Sequence, residues 1–427
     1  MGAVKRLLFC SFGSLGDLHP HIAMAETARR RGIPCAIASS PNYADKVRAL
    51  GIPFYALGPD TSHLLRDQNF VKKVLNLRQG SEFLLREIVF PSLRATFDDL
   101  NAATADGDVL VSHSLVMAAR LVAELRGLSW ASSVLQPMTF FSAYDPPLMP
   151  QIPWLGSLEF LGPRFFRPVL AVVKRAVSRW SSPWHDLRRD LGLARTNDNP
   201  VFEGQHAPSL VLAQFSRSFA SPQPDWPPHT AITGFTFFDQ DGAAELPPRL
   251  TEFLNRGPAP LVFTLGSAAI HDAGSFYDVS AAAARALKRR AVFLLGKEAG
   301  NSVSGESADS ISLDYAPFSQ VFPRALAIVH QGGIGTTAQA LRARRPSLVV
   351  PYGHDQPDNA RRVVRLGAGL SLDRGLYAED RASRLLSQLI GEERFLANAA
   401  RTGAAIAAED GAGAAIQALV NTFKVPA

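Results

Sequence analysis

Several turns rich in glycine and polar residues follow apolar segments of this sequence, where their side chains could act on a ligand. The segment His330-Gln331-Gly332-Gly333-Ile334-Gly335-Thr336 follows one apolar run and opens a helix-like segment. Glycines let a ligand approach the backbone, and the N–H groups at a helix start favour an anion such as phosphate. His330 could donate a further hydrogen bond. The turn lacks the Lys-Ser/Thr ending of a Walker P-loop, and a plain tight turn is the alternative.

Two further turns of this kind follow other apolar strands in the second half of the chain. In Tyr352-Gly353-His354-Asp355-Gln356, the carboxylate of Asp355 and the carboxamide of Gln356 suit the hydroxyls of a sugar. The alternative here is helix capping by Asp358 or Asn359. In Thr264-Leu265-Gly266-Ser267, the Ser267 hydroxyl could hold a phosphate oxygen or only complete a turn.

The first apolar run ends in a turn that carries a carboxylate and an imidazole, Gly13-Ser14-Leu15-Gly16-Asp17-Leu18-His19. Asp17 is therefore a candidate general base, and His19 is its rival for that role. The alternative is that Asp17 only caps the helix that follows.

Apolar strands alternate with helix-like segments in both halves, a pattern typical of α/β folds with parallel sheets. A segment rich in Pro, Asp and Gly separates the halves. We predict an N-terminal domain at 1–220, a linker at 221–248 and a C-terminal domain at 249–405. A last helix at 406–427 is predicted to pack back on the first domain. The turns above would lie at the carboxyl ends of the strands, where such sheets bind ligands.

Composition argues against several classes of protein. The 427 residues carry 44 Lys and Arg against 38 Asp and Glu, which gives a net charge of +6. Because the basic residues are scattered along the chain, no nucleic-acid partner is expected. Cys10 and Cys35 lie in predicted strands, which suits a reducing cytoplasm better than a disulfide framework. Asp239-Gln240-Asp241 resembles a metal-binding Asp-x-Asp, but it falls in the linker, and no metal site is expected.

The segment Arg164–Arg179 alternates apolar and basic residues, which predicts an amphipathic helix. One interpretation is a core-facing helix with a solvated basic side. The other is contact with a lipid surface, so peripheral membrane contact of a cytoplasmic protein stays open.

Together these motifs resemble those of the GT-B sugar transferases of glycosyltransferase family 1. The matching segments cover nearly the whole chain in order and are Gly13-Ser14-x-Gly16-Asp17-x-x-Pro20, Asp225-Trp226-Pro227, Thr233-Gly234-Phe235, Leu265-Gly266-Ser267, Tyr315-Ala316-Pro317, His330-x-Gly332-Gly333-x-Gly335-Thr336 and His354-Asp355-Gln356-x-x-Asn359. Within the family the sequence looks most similar to the bacterial rhamnosyltransferases of rhamnolipid synthesis. It is also similar to sterol and antibiotic glycosyltransferases.

The resemblance implies a GT-B fold, with two facing Rossmann-like parallel-sheet domains and a central cleft. It also implies inverting transfer that needs neither a metal nor a cofactor, with Asp17, or its rival His19, as the base. Tyr315 would stack on the nucleobase, and the Ala316 backbone would read the edge of that base. The residues expected to contact the donor are Gly16, Ser267, Tyr315, Ala316, His330, Gly332, Gly333, Gly335, Thr336, Asp355 and Gln356.

The same resemblance bears on both substrates. Plant members place a Glu eight residues after the motif histidine to bind the ribose, and here that position is Ala338, which permits a dTDP-linked donor. We expect a donor of the dTDP-rhamnose or UDP-glucose type and an apolar small-molecule or lipid acceptor with a hydroxyl group. Phe90, Phe140 and Trp154 are candidate acceptor contacts, with core packing as their alternative. A sugar-nucleotide epimerase of the same shape and a non-catalytic sugar-nucleotide-binding subunit are the other functions considered.

Overall fold

The computed structural model describes residues 6–60, 64, 67–239, 245–297, 299–304 and 307–425. The chain forms two compact units. The first comprises Met1–Asp67, Gln79–Phe237 and Asp410–Ala427, and the second comprises Gln68–Arg78 and Phe238–Glu409. Residues 68–78 were predicted as part of the first domain. They group with the second unit because Val71 and Leu75 pack into its hydrophobic core.

Each unit contains one sheet whose strands pair in parallel. The first sheet has the order β3-β2-β1-β4-β5-β6-β7. Its strands are β1 (Leu7–Cys10), β2 (Cys35–Ser39), β3 (Phe54–Ala56), β4 (Val109–His113), β5 (Ser129–Val134), β6 (Val211–Ala213) and β7 (Thr230–Ile232). The second sheet has the order β10-β9-β8-β11-β12-β13. Its strands are β8 (Leu261–Thr264), β9 (Ala291–Leu294), β10 (Ser310–Leu313), β11 (Ala327–His330), β12 (Ser347–Val349) and β13 (Gly369–Ser371).

Helices connect most of these strands. They are α1 (Leu15–Arg30), α2 (Ala44–Ala49), α3 (Gln68–Val74), α4 (Gly80–Phe83), α5 (Leu93–Ala103), α6 (Ala118–Arg126), α7 (Gly162–Val177), α8 (Ser182–Asp190), α9 (Pro248–Asn255), α10 (Phe276–Ala286), α11 (Phe318–Val321), α12 (Ile334–Arg342), α13 (Gln356–Arg365), α14 (Glu379–Gly391), α15 (Glu393–Ala407) and α16 (Gly411–Phe423). Short 3₁₀ helices include Pro153–Leu161 and Ala269–Asp272, and Leu84–Val89 forms a π-helical turn. Within the described residues, every helix is too short or too polar to cross a bilayer.

Particular residues explain the burial of one strand, the end of one helix and the packing of another. Strand β1 is apolar throughout and fully buried, as expected for a parallel strand covered on both faces. Helix α6 ends at Gly127, whose φ of +63° is the left-handed conformation that stops a helix. The last helix, α16, packs on α1, and Arg31 donates to the Gly413 carbonyl at 3.2 Å. The two parallel sheets confirm the predicted α/β architecture.

Candidate functional site

The turn after β1 holds Asp17 by hydrogen bonds to the start of α1. Ser14 is the residue that caps the helix, and its N–H and Oγ–H donate to Asp17 Oδ2 at 2.7 and 3.0 Å. In return, the Ser14 side chain accepts from the backbone of Asp17, the third residue of the helix. The two residues thus form a capping box, so the predicted capping role of Asp17 is present. It engages one carboxylate oxygen and leaves Oδ1 for other contacts. Gly16, predicted to contact the donor, lies in the same turn, and its N–H donates to Ser14 Oγ at 3.2 Å.

Gly13 allows the carboxylate to fold back onto the turn. Its φ is +130°, and a Cβ at this position would lie 2.4 Å from Asp17 Oδ2. Real side chains do not approach that closely. The turn therefore needs glycine both for its backbone conformation and for the space above it.

His113, which no local sequence motif indicates, lies beside Asp17. It ends β4, the strand that pairs with β1, and its Nε2 lies 3.6 Å from Asp17 Oδ1. Nδ1 lies 3.1 Å from the Phe12 carbonyl, a geometry in which Nδ1–H donates. Burial lowers the pKa of His113, although the Asp17 charge opposes this effect. The ring is therefore neutral, and its unprotonated nitrogen faces the carboxylate.

Two other imidazoles of α1 are also neutral. Burial lowers the pKa of His19, the rival base, to about 3, and the Lys46 charge adds to the effect. Burial likewise lowers the pKa of His21 to about 3, with the neighbouring His113 adding to this shift. His21 Nδ1 lies 2.8 Å from the Asp17 carbonyl and so fixes the same turn.

A shallow apolar pocket of the first unit lies next to Phe12, the residue whose carbonyl contacts His113. Its free space of about 320 Å³ includes open solvent, and only a small part of it is enclosed. Phe12, whose carbonyl accepts from His113, and Val116 belong to its lining. The rest of the lining is Leu57, Pro59, Val89, Leu93, Thr96, Leu115, Met117 and Ala118. Thr96 alone in this set carries a polar side chain, so the lining offers mainly apolar contacts.

The three aromatic residues predicted to contact the acceptor have different surroundings. Phe90 is 3% exposed and belongs to the hydrophobic core of the first unit, in the same cluster as Val89 and Leu93. Phe140 is 6% exposed, and its ring stacks on Trp226 at 4.4 Å. Trp154 is 63% exposed on the helix Pro153–Leu161. Packing thus accounts for Phe90 and Phe140.

The glycine turn of the second unit joins β11 to α12. His330 is fully buried, and its Nδ1 accepts a hydrogen bond from the Gly332 N–H at 3.1 Å. Burial lowers its pKa to about 3, so the ring is neutral with its proton on Nε2. Within the described structure, Nε2 has no hydrogen-bond partner. His330 therefore carries a buried donor, and such groups are costly unless something accepts from them.

Backbone N–H groups lie at the start of α12. Gly333 precedes the helix, and no side chain caps it. Gly335 and Thr336 follow in the first turn, where helical N–H groups lack partners within the helix. Gly332 has a φ of +89°, and a Cβ there would lie 3.0 Å from the Gln356 carbonyl. The turn thus has the glycines and the free backbone N–H groups that favour binding of an anion.

Two neighbouring loops pack against this turn. A Cβ on Gly266, which has a φ of +64°, would lie 2.2 Å from Gln331 Nε2 and 3.1 Å from Thr336 Oγ1. This contact brings the exposed Ser267 beside the glycine turn. From the other loop, Asn359 Nδ2 donates to the Gly332 carbonyl at 2.9 Å. The three predicted donor turns thus meet at one edge of the second sheet.

The predicted sugar-binding residues also support the loop that carries them. Gln356 Oε1 accepts from the N–H groups of Tyr352 and Gly353 at 2.8 and 3.2 Å, which leaves its NH₂ group for other contacts. Asp355 Oδ2 accepts from Asn359 at 2.6 Å. The alternative of a helix cap at Asp358 or Asn359 is wrong, because α13 already begins at Gln356.

The segment that was predicted to bind the nucleobase follows β10. Tyr315 is 50% exposed, and Lys297 Nζ lies 5.4 Å from the centre of its ring, whereas Ala316 is fully buried.

Asp239, in the run that resembles a metal-binding motif, accepts a hydrogen bond from Arg342 at 2.7 Å. Burial acts to raise the pKa of Asp239, but Arg342 holds that pKa below its usual value. Its predicted companions in the Asp-x-Asp run, residues 240 and 241, lie outside the described residues. Elsewhere the described part of the chain shows no group of three metal-ligating side chains.

Several known proteins are similar in sequence to this chain. Residues 282–421 match the family described as the erythromycin biosynthesis protein CIII-like C-terminal domain. The O-mycaminosyltylonolide 6-deoxyallosyltransferase of Streptomyces fradiae is 26% identical over 95% of this chain and 94% of its own length. A sterol 3-beta-glucosyltransferase of Neosartorya fischeri is 26% identical over 98% of this chain, which spans only 30% of that protein.

Solved structures extend the comparison to the whole fold. Spinosyn rhamnosyltransferase SpnG complexed with thymidine diphosphate matches with a TM-score of 0.67 and 18% identity, over 97% of this chain and 99% of the other. At that identity the match establishes the fold. The predicted resemblance is thereby confirmed: the chain has the GT-B fold and is related to glycosyltransferases, with residues 282–421 matching the EryCIII-like C-terminal domain.

Proposed function

We propose that this protein is an inverting glycosyltransferase that moves a sugar from a nucleoside diphosphate to a hydroxyl group of an apolar acceptor. The observation that carries this proposal is the pair of Asp17 and His113 beside an apolar pocket. The uncapped turn at His330 supports it, because this turn suits the diphosphate of the donor. The buried free thiols Cys10 and Cys35 favour action in the reducing cytoplasm.

In the proposed step, Asp17 Oδ1 accepts the proton of the acceptor hydroxyl while the hydroxyl oxygen attacks the anomeric carbon. The bond from that carbon to the phosphate oxygen breaks, and the nucleoside diphosphate leaves with the electron pair. Attack opposite the leaving group inverts the anomeric configuration. Nε2 of His113 offers the proton a second acceptor 3.6 Å from Asp17 Oδ1.

The second unit would stabilise the leaving diphosphate. The buried Nε2–H of His330 and the backbone N–H groups at the start of α12 are donors for the charge that grows on it, and they would make a metal ion dispensable. Tyr315 is exposed enough to stack on a nucleobase. Ala338 is 3% exposed and offers no carboxylate for a ribose hydroxyl, which is compatible with a dTDP-linked sugar. We therefore propose a dTDP-rhamnose or UDP-glucose type of donor.

Two experiments in sequence test this function. Thermal shifts with dTDP, UDP and GDP rank the nucleotides, since a bound ligand raises the melting temperature. The protein is then incubated with sugars linked to the best-binding nucleotide and with a mixture of hydroxy fatty acids, polyketides and flavonoid phenols. Mass spectrometry detects any glycosylated product, and Asp17→Asn is the control. We expect a glycosylated product from the wild type and little from the variant.

The other outcomes separate the alternatives. Conversion of the donor sugar without any acceptor would show an epimerase. Stabilisation by nucleotide without either reaction would show a non-catalytic binding subunit. An absence of stabilisation by every nucleotide would contradict the proposed donor site.

A further inference from the structure

Helix α7 has one face in a hydrophobic core and another face in solvent. Phe166 and Leu170 are buried with Met149 and Leu155 in a cluster that belongs to the first unit. These contacts fix the helix, so its opposite face is presented outward. That outward face runs from the end of the preceding 3₁₀ helix along the length of α7. We call it the α7 surface and define it by the exposed residues Phe160, Leu161, Arg164, Arg167, Val172 and Arg175.

The α7 surface contains apolar side chains that water does not favour. Phe160 is 79% exposed, Val172 68% and Leu161 42%. The spacing of Leu161, Arg164, Val172 and Arg175 places them along one stripe of a helix. Apolar groups gathered in this way, among polar neighbours, mark interaction sites more often than single exposed residues do.

The charges of the α7 surface are all positive. The sequence of α7 contains four basic residues and no Asp or Glu. Lys174 pairs with Glu203 at 3.2 Å, whereas Arg167 donates to the Tyr144 hydroxyl at 2.9 Å, a hydrogen bond without a carboxylate. For Arg164 and Arg175 the described structure shows no ion pair. These guanidinium groups are therefore available to an anionic partner.

We propose that the α7 surface binds the surface of an anionic phospholipid bilayer. Arginine pairs with lipid phosphates, while phenylalanine, leucine and valine side chains enter the boundary between headgroups and acyl chains. A nucleic acid would use the arginines but leave Val172 and Leu161 in water. The mixture of both kinds of side chain on one convex helix face fits the bilayer interface, where charged and hydrocarbon layers are adjacent. This inference does not depend on the proposed transfer reaction.

Sedimentation of the full chain with vesicles tests the proposal. One set contains phosphatidylcholine alone, and the other contains phosphatidylcholine mixed with phosphatidylglycerol. We expect at least a tenfold stronger association with the anionic vesicles, and a loss of most of it in salt or in the double variant Arg164→Glu/Arg175→Glu. The variant Phe160→Ser/Val172→Ser should also weaken association, but the remaining binding should keep its dependence on salt.

Matched controls lie on exposed helices of the second unit. Arg381→Glu/Arg384→Glu changes charge by the same amount on α14, and Leu396→Ser removes an apolar side chain of α15 that is 45% exposed. Both controls should bind like the wild type, and every variant should keep the melting temperature of the wild type. Absence of binding to anionic vesicles, or equal losses in the control variants, would overturn the proposal. Binding to duplex DNA rather than to vesicles would also overturn it.

Discussion

Asp17 Oδ1 and His113 Nε2 lie 3.6 Å apart at the ends of the neighbouring strands β1 and β4. Because Nδ1 of His113 donates to the Phe12 carbonyl, the nitrogen that faces Asp17 is the basic one. Two proton acceptors thus face each other, and their mutual repulsion is relieved when one proton is shared between them. A hydroxyl group bound at this place could supply that proton.

The first prediction concerns Asp17. Asp17→Asn keeps the size of the side chain but removes its basicity, so kcat should fall about 100-fold or more. The affinity for dTDP should stay within about twofold, because the nucleotide contacts are proposed for the second unit. Steady-state kinetics and calorimetric titration measure the two effects, and an unchanged kcat would reject Asp17 as the base.

The second prediction concerns His113. His113→Gln keeps a hydrogen bond to the Phe12 carbonyl but cannot take up a proton. We expect kcat to fall about tenfold, and the acid limb of the pH–rate profile to move to lower pH, because the pair no longer shares a proton. A lower kcat with the same acid limb would indicate a structural role only.

The third prediction uses glycine substitutions around α1. Gly13→Ala would push a Cβ to within 2.4 Å of Asp17 Oδ2 and so displace the carboxylate. Gly32→Ala, just after the same helix, is the control: its φ is +73°, but a Cβ there would meet nothing within 4 Å. Transfer activity should fall at least tenfold in the first variant only. Equal losses in both would mean that contact with Asp17 does not cause the effect.

The fourth prediction applies the same design to the donor site. Gly266→Ala would force apart the loops that carry Ser267 and Gln331, whereas Gly300→Ala has nearly the same φ, +65° against +64°, and open space. Affinity for dTDP or UDP, measured by calorimetry, should fall about tenfold in the first variant. Gly300→Ala should bind nucleotide like the wild type. Similar affinities in both variants would contradict a phosphate site at this edge.

The fifth prediction concerns stability in acid. Burial holds the pKa of His21 and His330 at about 3 in the folded protein. The unfolded chain, with an ordinary pKa of about 6.5, binds protons that the folded protein does not. The free energy of unfolding should therefore decline as pH falls below about 6.5, by up to about 1.4 kcal/mol per pH unit for each histidine. Urea unfolding of His330→Gln should show a shallower decline, and parallel curves would contradict this origin.

The three turns that meet at one edge of the second sheet could be predicted from the sequence, because each carries its glycines and polar residues in one short segment. The position of His113 beside Asp17 could not, since it depends on β4 lying next to β1 rather than on any local motif. The strand order of a doubly wound sheet was the signal that could have pointed to it. Local pattern also could not show that Phe90 and Phe140 pack inside the first unit, because core and pocket aromatics look alike in sequence.

The chain passes from one unit to the other four times, at residues 67–68, 78–79, 237–238 and 409–410. A chimaera that joins halves of two such enzymes at the linker would therefore separate α3 from the core it completes and α16 from the helix α1 on which it packs. Exchange of a whole unit between relatives by recombination therefore requires residues 68–78 to travel with the C-terminal half and residues 410–427 to stay with the N-terminal one. The natural unit of exchange is thus interrupted in sequence although it is continuous in space.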